Sequence, residues 1–141
     1  VIKTLVTDFE YTNKIIGVDL DAEIIEIANR YFELNKIKNL EIIIDDAQNF
    51  VSKTTENFDL ILIDIFQDNF MPSFLFEPEF VQKIKTILSK KGTILFNTMV
   101  LNTIDVQRNV AYLKLFSDNE YKISKISKLE KYNEVLIITK Q

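Results

Sequence analysis

The sequence predicts an α/β domain with a mostly parallel sheet, helices on both faces, and an antiparallel hairpin at its end. Three observations predict it. Short apolar runs rich in β-branched residues recur at 14–20, 40–44, 58–64 and 93–99. Stretches with helical spacing separate them, and two further β-rich runs close the chain. Strands that alternate with helices imply right-handed crossovers, and so parallel neighbours.

In order, VIKTLVTDFEY (1–11) places Ile2, Leu5, Val6 and Phe9 on one helical stripe, so a helix is expected from the first residue. KIIGVDL (14–20) reads as a strand buried on both faces. Residues 21–34 carry Ile24, Ala28, Tyr31 and Phe32 on one helical face, with Asp21 placed to cap it. LEIII (40–44) is a second strand, ending at Asp45-Asp46 ahead of a short helix that holds Phe50 and Val51. FDLILID (58–64) is a third, and a loop containing Pro72 follows it. The pattern then predicts a helix over 77–90 with Phe80, Ile84, Ile87 and Leu88 inward, and Gly92 as its C-cap glycine. TILFNTM (93–99) is the fourth strand, followed by a helix near 104–117. YKISKIS (121–127) and NEVLIIT (133–139), joined by the turn-like KLEKY, are expected to pair antiparallel. With 141 residues and no repeat or linker, residues 1–141 read as one domain.

Composition removes several classes of function. With no histidine, acid–base work falls to Asp, Glu, Lys or Tyr, and histidine triads and histidine metal sites are excluded; no metal is expected. The two glycines, Gly17 and Gly92, cannot form a glycine-rich phosphate loop. A net charge of −4 argues against nucleic acid as a partner, and no segment has the apolar length of a membrane span. The absence of cysteine fits a cytoplasmic protein. The chain opens on Val1 with no signal-peptide pattern and is expected to be a fragment, or to lack its start.

Three successive strands end in carboxylates: Asp19 with Asp21, Asp45 with Asp46, and Asp64. In a parallel sheet such strand ends line the ligand edge, so a small-molecule site is expected there. Asp19 suits the hydroxyls of a ribose, because Asp21 can cap the following helix and leave it free; turn chemistry is the alternative. Asp46 suits an exocyclic amine of a base, with Ala47 leaving room for the ring, or else caps the 47–53 helix. Asp45 is expected to be solvated. Partial desolvation at the tip of the 58–64 strand suits Asp64 to a base or amine-orienting role, against a plain loop anchor. Asp68 lies in the aromatic loop FQDNFMPSFLF, which either forms a lid or packs on the sheet. Its Phe66, Phe70, Phe74 and Phe76 read first as core or interface, which leaves room for a homodimer.

Taken together, IIGVDLDAEIIEIANRYFEL, IIIDDAQNF, FDLILIDIFQDNFMPSFLFEPEFVQKIKTIL and KKGTILFN resemble, in order and spacing, the Rossmann-like S-adenosylmethionine-dependent methyltransferase fold, in its spermidine-synthase-like branch. The resemblance covers about residues 1–99. It implies a cofactor, S-adenosylmethionine or its decarboxylated form, whose ribose is held by Asp19 with Leu20 beside it. Adenine would be read by Asp46 and Ala47, and Asp64 would border the amine and the methionine moiety. It implies Asp64 and Asp68 as catalytic residues of methyl or aminopropyl transfer. The sequence departs from the polyamine synthases in DIFQDNFMPSFLF, which has neither the Asp-Pro nor the Gly-Pro dipeptide and sets Asp68 one step further on. The family's first strand and glycine-rich loop are expected before Val1, so the fold is expected to be N-terminally incomplete. The alternatives are a non-catalytic binding or oligomerisation module that keeps the sheet without the cofactor loop, and an NAD-type dinucleotide domain. Against the last stand the C-terminal antiparallel pair and the Asp46-Ala47 step.

Overall fold

The computed structural model describes residues 1–67, 70–116 and 119–141. They form two compact units, Val1–Lys53 and Thr54–Gln141.

In the first unit, α1 (Ile2–Thr7) is shorter than its apolar stripe suggests. The Thr7 hydroxyl donates to the Lys3 carbonyl at 2.8 Å, and Glu10 takes a left-handed φ of 51°. Such side-chain bonding competes with helix continuation, and Phe9 is left exposed. Strand β1 (Ile15–Asp19) pairs parallel with β2 (Leu40–Ile44), Ile15 opposite Leu40 and Asp19 opposite Ile44. Between them runs α2 (Ala22–Phe32), ended by Glu33 in the left-handed region; α3 (Ala47–Lys53) follows β2. All five residues of β1 are half-buried rather than buried, which corrects the expectation of a strand covered on both faces. Among the described residues it is paired on one edge only.

The second unit holds a four-stranded sheet in the order β3-β4-β6-β5. Strands β3 (Phe58–Ile63) and β4 (Leu88–Met99) are parallel; β6 (Asn133–Lys140) runs antiparallel to both β4 and β5 (Tyr121–Leu129). Alternation sets the faces: Ile94, Phe96 and Thr98 of β4 and Glu134, Leu136 and Ile138 of β6 are buried in one row. Phe80, Val81, Ile84 and Ile87 of α4 (Pro78–Ile87) are buried too, as are Asn109 and Tyr112 of α5 (Thr103–Lys114). The Tyr112 ring meets those of Phe96, Phe76 and Phe116 at centroid distances of 4.9, 5.9 and 5.5 Å. Polar groups lock the same layer: Asn109 Nδ2 donates to Thr98 Oγ1 at 2.8 Å and to Glu134 Oε1 at 3.1 Å, while Ser127 and Lys125 donate to Glu134 Oε2.

Helix α4 stops at Ile87 rather than at 90, and Gly92 is not its cap. Leu88 is already extended, Lys91 takes the left-handed φ of 64°, and Gly92 lies inside β4 with no positive φ. Its role is steric. A Cβ there would lie 2.8 Å from Leu88 Cδ1 and 3.0 Å from the carbonyl oxygens of Phe58 and Ser89. The predicted C-terminal hairpin is present, and the aromatic loop packs in part: Phe74 meets Phe80 edge-on at 5.1 Å, and Leu75 is buried. Phe70 stays exposed.

Candidate functional site

In the first unit, parallel pairing puts the carboxyl ends of β1 and β2 side by side, with the Asp45 N–H donating to the Asp19 carbonyl at 3.1 Å. Asp21 caps α2 as its position suggests, accepting from Glu23 N at 2.8 Å and Ile24 N at 3.4 Å. Asp19 is only half released by this, because its Oδ1 accepts from Asp21 N at 2.9 Å and so holds the turn that delivers the cap. Leu20 points out and is exposed. Asp46 also serves the chain, its Oδ1 accepting from Gln48 N at 2.7 Å at the start of α3, where Ala47 is the first residue. Asp45 is not merely solvated: half-buried, it accepts from Asp46 N at 2.8 Å and from Asn49 Nδ2 at 3.4 Å.

What remains for a ligand is well defined. Among the described residues, Oδ2 of Asp19 and Oδ2 of Asp46 make no hydrogen bond. Ionised carboxylates only accept, so this sheet end complements a molecule that brings donors: a hydroxyl pair and an amine. The donor set of a nucleoside fits that requirement.

In the second unit, Asp64 follows β3 directly. Ile63 is opposite Phe96, so Asp64 comes beside Asn97, whose Nδ2 donates to Asp64 Oδ1 at 2.9 Å. Asn133 Nδ2 donates in turn to Asn97 Oδ1 at 3.0 Å. Asp64 is exposed, so the partial desolvation expected of it is not seen. Asp68 lies outside the described residues. The geometry thus sets Asp19 and Asp46 at adjacent strand ends within one unit, and within the other it gives Asp64 one amide partner, Asn97, which Asn133 bonds in turn. Sequence reasoning missed both asparagines. The available signal was an amide inside the apolar run TILFNTM.

The family model of the spermine/spermidine synthase domain matches residues 3–138. The chain belongs to this family. Among its curated relatives is the polyamine aminopropyltransferase of Thermoplasma volcanium, 37% identical over 86 residues that make up 58% of this chain and 32% of that protein. The chain spans about a third of the length of such relatives. Human methyltransferase-like protein 13, solved in complex with SAH, superposes with a TM-score of 0.83 at 20% identity, covering 99% of this chain and 67% of that one. A protein described as a probable spermidine synthase from Corynebacterium glutamicum gives a TM-score of 0.72 at 20% identity over 89% of this chain and 46% of that one. These likenesses show the Rossmann-like methyltransferase fold. No helix of the described residues is long and apolar enough to cross a membrane.

Proposed function

We propose that this family member works as a transferase domain that binds S-adenosylmethionine or its decarboxylated form and alkylates a small amine. The observation that carries the reading is that Asp19 and Asp46 stand at the adjacent carboxyl ends of β1 and β2, with one carboxylate oxygen of each left over. In it, Asp19 with Leu20 beside it holds the ribose, and Asp46 with Ala47 reads the adenine. When bound, the cofactor would supply an alkyl carbon activated by its sulfonium for the amine nitrogen, with a neutral thioether as the leaving group. Asp64 borders the amine: its Oδ2, with no hydrogen bond among the described residues, accepts from the nitrogen and takes the proton it sheds. Asp68 is a second catalytic carboxylate in this proposal. We take residues 1–141 to act as one domain, which the family match across both units supports.

Aminopropyl transfer is the first form of the reaction, in keeping with the polyamine aminopropyltransferases among the relatives. Methyl transfer is the second, favoured by one feature: residues 64–76 lack the Asp-Pro and Gly-Pro dipeptides of the polyamine synthases. Calorimetric titration of the intact protein with the two cofactor forms separates them. The expected result is binding of one form, abolished by Asp19→Ala and spared by Asp64→Asn, with turnover reduced in the latter. Binding of neither form sinks the transferase reading, and unchanged affinity in Asp19→Ala sinks the ribose assignment.

A further inference from the structure

We propose that Asn97 and Asn133 are positioning residues for Asp64, forming a directed amide relay that leaves a single carboxylate oxygen to meet the amine. The inference rests on the role proposed above for Asp64 and deepens it.

Strand register creates the relay. In β3, Ile61 and Ile63 stand opposite Ile94 and Phe96, while Leu60 and Leu62 stand opposite Thr93 and Leu95. Alternation therefore carries Asp64 onto the face of Leu95 and Asn97, opposite to the buried row of Ile94, Phe96 and Thr98. Across the antiparallel β4–β6 pair, Met99 is opposite Asn133 and Asn97 is opposite Val135, so Asn133 is the diagonal neighbour of Asn97. Each contact is within hydrogen-bond length, 2.9 Å from Asn97 to Asp64 and 3.0 Å from Asn133 to Asn97.

Hydrogen-bond chemistry gives the relay its direction. An ionised carboxylate has no proton to give, so Asn97 must turn its NH₂ group toward Asp64. That leaves the Asn97 carbonyl facing the hairpin, where only a donor satisfies it, and Asn133 supplies one. Both amide dipoles point their positive ends toward Asp64, and each polarises the next. Asparagine is poorly suited to strands, yet two stand here on paired strands, both half-buried, one donating to the carboxylate and the other to the first.

The choice of a neutral donor has a chemical meaning. A lysine or arginine would fix Asp64 equally well but cancel its charge. Among the described residues no cation pairs with Asp64. The carboxylate is oriented at Oδ1 while its full negative charge stays available at Oδ2, which is what a cationic amine requires. A purely structural role for the pair, as a polar tie between β4 and β6, predicts a loss of stability with no dependence on Asp64.

A double-mutant cycle in the intact protein separates the two roles. Steady-state rates are measured with the cofactor form that calorimetry selects and a diamine acceptor. A hydrogen bond to a charged group is worth about a tenfold effect, so Asn97→Leu is expected to lower kcat/KM for the amine about tenfold, with the calorimetric affinity for the cofactor unchanged. Asn133→Leu is expected to act in the same direction with a smaller loss. Placed on Asp64→Asn, neither change is expected to lower the rate further. Unchanged kcat/KM in Asn97→Leu overturns the inference, and so does a loss that multiplies in full with that of Asp64→Asn. If Asn97→Leu is unfolded at the assay temperature, Asn133→Leu, at the start of β6, carries the same cycle with the same two deciding outcomes. Wild-type turnover in Asp64→Asn refutes the role of Asp64 itself; impaired Asp64→Asn beside unimpaired asparagine variants refutes the relay alone.

Discussion

Asp19 and Asp21 divide one short turn between them. Asp21 satisfies two N–H groups at the start of α2, and Asp19 holds the Asp21 N–H with one oxygen while its other stays uncommitted. Asp21→Ala is expected to cost about 1 kcal/mol, the usual worth of a helix cap, as a lowered melting temperature. Asp19→Asn tests something else, because an amide oxygen still accepts from the Asp21 N–H while the charge is gone. The expected outcome is an unchanged melting curve with cofactor affinity reduced by an order of magnitude or more, on the scale of a charge-assisted hydrogen bond. A parallel fall in both measurements would mean that the carboxylate serves the turn alone. The capping role of Asp21 was legible in its sequence position. That Asp19 would also bond the turn was not, since spacing alone does not say which of two acids in D-L-D turns back on the backbone.

At the scale of elements, the passage from α4 into β4 is where pattern and structure part. The run KTILSKKG reads as a helix ending in a glycine cap, because Leu88 continues the apolar face and lysines suit a helix C-terminus. The helix ends earlier because Leu88 pairs with Phe58 and begins the strand. Gly92 is then needed for close approach, and an added methyl would press on Leu88 and on two backbone oxygens. Gly92→Ala is expected to destabilise by about 1–3 kcal/mol, the usual cost of overpacking, read in chemical denaturation. An unaffected midpoint would show that Leu88 can move aside. That 93–99 and 133–139 form strands was readable from sequence, whereas the central place of Tyr112 among three aromatic rings was not. Its partners come from a loop, a strand and the end of a helix, and no local period links them.

At the scale of the whole molecule, the match over residues 3–138 and the likeness to solved methyltransferases agree with an architecture readable from the alternation of strands and helices. The candidate site was legible as a set of acids at strand ends. Its amide partners were not, because they depend on pairings between strands distant in sequence. The same dependence governs stability in acid. Burial works to raise the Glu134 carboxyl, but hydrogen bonds from Ser127, Lys125 and Asn109 outweigh it and hold the group below the ordinary glutamate value of 4.5. The unfolded chain therefore takes up this proton first on acidification. The stability that Glu134 contributes is present above about pH 4.5 and is lost as pH falls through the lower folded value. Glu134→Gln is expected to melt earlier at neutral pH and to show a shallower decline below pH 4.5; parallel wild-type and variant curves would refute this.

The strand order β3-β4-β6-β5 has a consequence for biosynthesis. As the chain leaves the ribosome, β4 is exposed along the edge that β6 will occupy until residues 133–140 have emerged, well after β4 itself. The intervening β5 does not fill that place, since among the described residues it pairs with β6 alone. The edge of β4 therefore stays open until β6 pairs with it, and the buried side of β4 waits under whatever cover α4 and α5 provide. Nascent chains stalled before residue 133 should for that reason be the ones most readily captured by chaperones.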